Sequence, residues 1–216
     1  MIDSARFSAI TSAMFPTIDP SPLMDDPGGV RESIAETLEV TFNYMFGDIE
    51  REIRLAERGG DGCCEAGGGN YLAALGLLCY TEYMGSWITG EYGDKRSTAN
   101  FNAFFRLMGD DYAALLRRDV KVYDVFRNGM AHRYAPKEFC AIHMLETELD
   151  PRPTIGIVET GEEWPKYRFI VRNYFAEFKR LSLDISELLS SFPRVPKEIP
   201  RDRGKRPRNR SRRRAR

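Results

Sequence analysis

The sequence predicts a mainly α-helical domain with a small β-hairpin inserted before its last long helix. Three observations carry that expectation. Apolar residues recur at steps of three and four through most of the chain, the spacing that lines one face of a helix. Glycine, aspartate and proline break the pattern at a few points only. Two short β-rich runs, 139–145 and 154–158, are the strand candidates. With 216 residues and 42% hydrophobic content, the chain can bury one substantial core. The expected organisation is an extended leader over 1–29, one helical domain over 30–192 and a disordered basic tail over 193–216.

The leader holds Pro16, Pro20, Pro22, Pro27 and the pair Gly28-Gly29, which deny it regular hydrogen bonding. From Val30, apolar positions at Ile34, Leu38, Met45, Ile49 and Ile53 define a long amphipathic helix that stops at Gly59-Gly60. The six glycines from Gly59 to Gly69 cost too much backbone entropy for helix or strand and mark a loop. Asn70 is a candidate cap for a second helix, Tyr71 to about Trp87. Glu82 is its one charge, so it asks for burial on nearly every side. Ser97 or Thr98 can cap a third helix through Phe101, Phe104, Phe105 and Leu107, and Asp110 or Asp111 a short fourth through Leu116. A fifth begins near Val120 and ends before Pro136, since the residue before a proline is pushed out of helical geometry. Asp150-Pro151-Arg152-Pro153 is a turn signal joining the two β-rich runs into a hairpin around 139–158. Tyr167 to Phe192 is a last long helix. Its inner stripe is Phe169, Ile170, Tyr174, Phe178, Leu181, Ile185, Leu188 and Leu189.

The formal net charge is zero, but it is segregated. The stretch from Arg194 to Arg216 carries twelve Lys and Arg against Glu198 and Asp202, leaving the preceding body acidic by the same margin. Such a tail self-repels, has little apolar surface to bury and suits non-specific phosphate attraction. The first 22 residues lack the basic start, apolar run and cleavage site of a secretory signal. The apolar run after Tyr71 ends near Tyr80, too soon for a membrane span. Four cysteines, two adjacent at Cys63 and Cys64, provide no disulfide framework, so a reduced, cytoplasmic setting without membrane contact is expected. Cys63, Cys64 and Glu65 lack metal-ligand spacing, and the glycine-rich loop lacks the Gly-Lys-Ser/Thr ending of a phosphate-binding loop. No metal or cofactor is expected. Glu82 is either a buried partner for an arginine such as Arg127 or a residue on an open edge.

With only His132 and His143 in the chain, any imidazole acid or base is one of these two. His143 alternates with Ala141 and Leu145 on one strand face, which favours a packing role. His132 lies in VYDVFRNGMAHRYAPK, which places Arg127, Asn128, His132 and Arg133 beside Gly129 in an otherwise apolar helix. The run from Arg127 to His132 resembles the R-x4-6-H motif of the HEPN family, including the polar residue, here Asn128, that often follows the arginine. That resemblance implies a HEPN-like helical bundle and a metal-independent endoribonuclease, a toxin or defence component. Two protomers would bring Arg127, Asn128 and His132 together on RNA, with an antitoxin or other protein as a further partner.

The chemistry suits those residues. Histidine has an ordinary pKa of about 6.5, which allows proton transfer in both directions near neutrality. Arginine offers a planar, charged fork for phosphate oxygens. On an ideal α-helix, however, five steps of about 100° set Arg127 and His132 roughly 140° apart. Either the helix loosens at Gly129, or a two-fold homodimer lets facing motifs share one cleft. The competing explanation is that both cations serve a helix end, where they favour the negative pole and the free carbonyls. The chain would then be a non-catalytic helical RNA-binding or protein-interaction module.

Overall fold

A computed structural model describes residues 29–58, 69–91, 94–138, 140–146, 155–160 and 165–191. The leader up to residue 28, the run containing Cys63, Cys64 and Glu65, the Asp150 to Pro153 turn and the basic tail lie outside them. The elements are α1 (Gly29–Arg58), α2 (Asn70–Thr89), α3 (Ser97–Leu107) after a 3₁₀ turn, α4 (Asp110–Arg117), a π-helical turn (Tyr123–Asn128) running into α5 (Gly129–Arg133), β1 (Cys140–His143), β2 (Ile157–Glu159), β3 (Tyr167–Ile170) and α6 (Val171–Ser191). The fold is mainly helical with a small three-stranded sheet. Among the described residues no helix is long and apolar enough to cross a membrane.

The four-step pattern of α1 places Leu38, Phe42, Met45, Phe46, Ile49 and Ile53 in the core. Helix α2 buries Ala73, Ala74, Leu77, Leu78, Met84 and Ile88 on one broad face, while Leu72 is 63% exposed and Tyr80, Tyr83 and Trp87 are only partly buried, so it is less enclosed than its composition suggests. Opposite it, α6 contributes Tyr174, Phe178, Leu181 and Ile185, none with measurable exposure. Each such side chain removed from water contributes about 1.5–3 kcal/mol. Phe178 sits 5.3 Å from the Phe104 ring and 6.3 Å from that of Phe46, tying three helices together. Two buried polar contacts link distant elements. Thr81 Oγ1 donates to the Leu77 carbonyl and shares a 2.8 Å hydrogen bond with the Tyr174 hydroxyl, and the Gly156 amide donates to the Tyr112 hydroxyl at 2.9 Å. Helices α2 and α3 cross closely enough that a Cβ on Gly85 would run into the Asn100 backbone.

Three expectations are corrected. The two β-rich runs do not form a hairpin with each other. The sheet order is β1-β3-β2, with β1 parallel and β2 antiparallel to β3. The central strand comes from the first residues of the expected last helix, whose Tyr167, Phe169 and Ile170 are buried in the sheet. Their apolar spacing continues smoothly into the stripe of α6, which hid the boundary. Nor do the expected caps work as caps. Asn70 is the first residue of α2, which follows Gly69 in left-handed geometry, and the Asn70 side chain donates instead to the Ile142 carbonyl at 2.9 Å. At α3 and α4 no side chain caps the start, and Ser97, Asp110 and Asp111 lie inside the first turn. The two aspartates there still favour the positive pole of α4.

Candidate functional site at the Arg127 to His132 turn

Val122, Tyr123, Val125 and Phe126 anchor the segment in the core, Phe126 with its ring 5.6 Å from Phe169 on β3. Over Tyr123–Asn128 the backbone widens into a π turn, and the Gly129 amide reaches back to the Asp124 carbonyl. The π turn lies almost wholly before Arg127, and Gly129–Arg133 is regular α-helix, so four of the five steps from Arg127 to His132 keep the α-helical 100° and the two stay far apart around the axis. The expected loosening at Gly129 is therefore not seen within the chain. Gly129 itself makes room for the returning chain, since a Cβ there would meet Ala135 O at 2.7 Å, Lys137 N at 2.9 Å and Pro136 Cα at 3.0 Å. The chain ends α5 at Tyr134, in left-handed geometry, and folds back so that the Lys137 amide donates to the Val125 carbonyl at 2.8 Å. Only glycine leaves space for that close an approach.

Arg127 turns inward toward α2. Its Nε lies 3.5 Å from Glu82 Oε2, with the two side chains 26% and 21% exposed, so Glu82 is indeed the partner of Arg127. Nε itself is buried without a hydrogen-bond acceptor, so the pair is held by charge rather than by a directed bond. Tyr123 joins both: its hydroxyl donates to Glu82 Oε2 at 2.9 Å, and its ring lies 5.5 Å below the Arg127 guanidinium. Cys79 completes the cluster. Burial pushes its thiol up, opposed by the Arg127 charge and reinforced by that of Glu82, so it is a thiol rather than a thiolate nucleophile at neutral pH.

Asn128 faces another network. Its amide donates to Asp124 Oδ1 at 3.2 Å, and Lys137 Nζ donates to the same oxygen at 2.7 Å. These two bonds hold the Asp124 carboxyl below its usual range. Asn128 therefore braces the returning loop through Asp124, while His132 is exposed and makes no hydrogen bond or ion pair among the described residues. Within one chain, the structure does not bring Arg127, Asn128 and His132 into one constellation. His143 is half-buried on β1, level with Ile170 of β3, as its strand position suggests.

Sequence reading missed Tyr123 and Cys79, which join the Arg127 cluster from positions that look like ordinary core. It also missed Tyr134, exposed beside His132, and Tyr71, on which it stacks at 5.6 Å. Among the described residues, no group of three or more His, Cys, Asp or Glu is arranged to hold a metal ion. No family model matches the chain, and neither a curated protein nor a solved structure is significantly similar to it.

Proposed function

We propose that the chain acts on RNA as a HEPN-type endoribonuclease whose working site is completed by a second copy. The observation that carries this reading is the π turn over Tyr123–Asn128. It interrupts regular helix hydrogen bonding at the motif, and such turns concentrate at functional sites. Exposed His132 would take the 2′-hydroxyl proton. The freed oxygen would attack the adjacent phosphorus, and the bond to the 5′ oxygen would break, leaving a cyclic phosphate and a 5′-hydroxyl that collects a proton. A guanidinium stabilises the charge that gathers on the phosphate oxygens. Because Arg127 turns inward and His132 faces solvent within one chain, this reading needs a second copy whose α5 region pairs about a two-fold axis, with Arg127 leaving Glu82 to meet the phosphate.

The Glu82 to Arg127 pair favours a second reading, in which Arg127 is structural and the chain is a non-catalytic RNA-binding or protein-interaction module. RNA cleavage with EDTA present, comparing wild type with His132→Ala, separates the two. Loss of cleavage in a folded variant supports the enzyme, and equal cleavage rates remove it. A strictly monomeric mass at micromolar concentration, with cleavage intact, would overturn the shared site.

A further inference from the structure

We propose that Tyr134 is a stacking platform for an unpaired base of single-stranded RNA, next in the chain to exposed His132 and the exposed cation Arg133. The inference rests on the RNA-directed reading above and specifies its substrate class.

The backbone is the first observation. Tyr134 ends α5 with φ 52° and ψ 31°, a left-handed cap position usually given to glycine or asparagine, and for a bulky residue an outlier that invites a functional explanation. The position is held firmly. The Tyr134 amide donates to the Met130 carbonyl at 3.0 Å, and the following residues are pinned by the Lys137 to Val125 hydrogen bond and the tight approach to Gly129.

The ring is the second observation. It stacks on Tyr71 with centroids 5.6 Å apart and planes 24° from parallel. Tyr71, the second residue of α2, follows Asn70, which is bonded to β1, and packs against the core. Tyr134 nevertheless remains 66% exposed. One side of the ring is fixed on Tyr71 and the remainder faces solvent, so its orientation is set before any ligand arrives. A fixed, exposed aromatic loses little conformational freedom when a flat ring stacks on it.

Charge chooses the occupant. His132 and Arg133, the two residues before Tyr134, are exposed, and Arg133 makes no ion pair among the described residues. An exposed arginine adjacent in the chain to an open aromatic ring suits the phosphate that follows a stacked base, a pairing used for single strands. Duplex RNA keeps its bases stacked inside and offers no such face.

The test uses the full chain carrying His132→Ala, which keeps the strand whole, and a short single-stranded RNA with one 2-aminopurine, whose fluorescence reports stacking. Adding Tyr134→Gly, which suits the left-handed backbone, should weaken binding roughly 5- to 150-fold and remove the quenching. Tyr134→Phe or Tyr134→Trp should keep both within about two-fold, since each retains an aromatic face. Unchanged affinity and quenching in a folded Tyr134→Gly protein would overturn the platform while leaving the RNA reading intact. Equally tight, Tyr134-dependent binding of single-stranded DNA of the same sequence would overturn RNA as the occupant. A wild-type chain that neither binds nor cuts RNA would overturn the functional reading, and this inference with it.

Discussion

Arg127 and His132 are five residues apart and live in opposite surroundings. The first is drawn inward to Glu82, Tyr123 and Cys79, while the second stands in solvent at the end of α5. Such a difference separates two kinds of evidence that a short motif merges. A half-buried arginine that neutralises a carboxylate has a structural reason to be there, whatever the protein does. An exposed histidine without a partner adds little to the core, so its reason must be sought in chemistry or in the helix end. The inward half therefore tests fold and function together, and the outward half tests the function with little cost to the fold.

The largest expected effect follows from that division. His132→Ala should lower cleavage by about 10²- to 10⁴-fold, the usual range for a lost general base, with a melting temperature close to wild type, since exposed substitutions cost within about 0.5 kcal/mol. Arg127→Ala should lose cleavage as well, but it should also lose about 1–3 kcal/mol of stability because Glu82 is left without its cation. The double variant should cleave little worse than either single one, as residues of one catalytic unit are non-additive. Activity and melting measurements on the three proteins check this. If Arg127→Ala kept full cleavage in its folded fraction, Arg127 would belong to the structure alone.

Gly129→Ala acts on the hinge between the two halves. The added methyl must displace backbone at Ala135, Pro136 and Lys137, and forced overpacking of this kind costs about 1–3 kcal/mol. Thermal unfolding should report a loss in that range. A protein as stable as wild type would show that the returning loop can retreat without penalty.

Glu82→Gln is gentler. The amide keeps an oxygen for the Tyr123 hydroxyl but gives up the attraction to Arg127, and about 1 kcal/mol should be lost, a fall of roughly 2–4 °C for a chain of this size. Cleavage well below the melting point should stay at or above the wild-type rate, because the guanidinium is released rather than removed. A marked drop in rate without unfolding would instead make Glu82 the residue that aims Arg127.

Much of the helical layout could be read from the sequence because periodicity and burial agree there. The stripe of α1 and the apolar run of α2 both call for a core, although α2 buries one broad face rather than its whole circumference. The sheet resisted because Tyr167, Phe169 and Ile170 satisfy helical and strand spacing equally well, and the choice was made by pairing with β1 and β2, which are distant in sequence. Capping failed at Asn70 for a related reason: a tertiary acceptor, the Ile142 carbonyl, outcompeted the local one. At the site, Arg127 and His132 were visible as a polar anomaly in an apolar helix, and Glu82 as a lone charge. The π turn was not, since nothing local distinguishes it from an α-helix, and Tyr134 gave no signal because its value lies in a left-handed backbone set by the return of the loop.

The smallest effect concerns Asp124, which braces that return. Lys137 and Asn128 hold its carboxyl below the usual range by hydrogen-bonding the charged form. A carboxylate with a lowered folded-state pKa stabilises the fold above its unfolded value, near 3.8, and that contribution disappears as pH falls through the folded-state value. Asp124 is half exposed, with 49% of its side chain in solvent, so screening limits the contribution to at most about 1 kcal/mol. Asp124→Asn removes the titration while keeping the shape. At pH 7 the variant should melt slightly below wild type, and the gap should narrow as the pH falls from the unfolded value toward the lower folded-state value, where the wild-type carboxyl becomes neutral too. Melting curves of the two proteins from pH 7 to pH 3 measure it. A gap that stayed constant across that range would mean that Asn128 and Lys137 hold the loop without the charge on Asp124, and a gap that widened would contradict the direction of the shift itself.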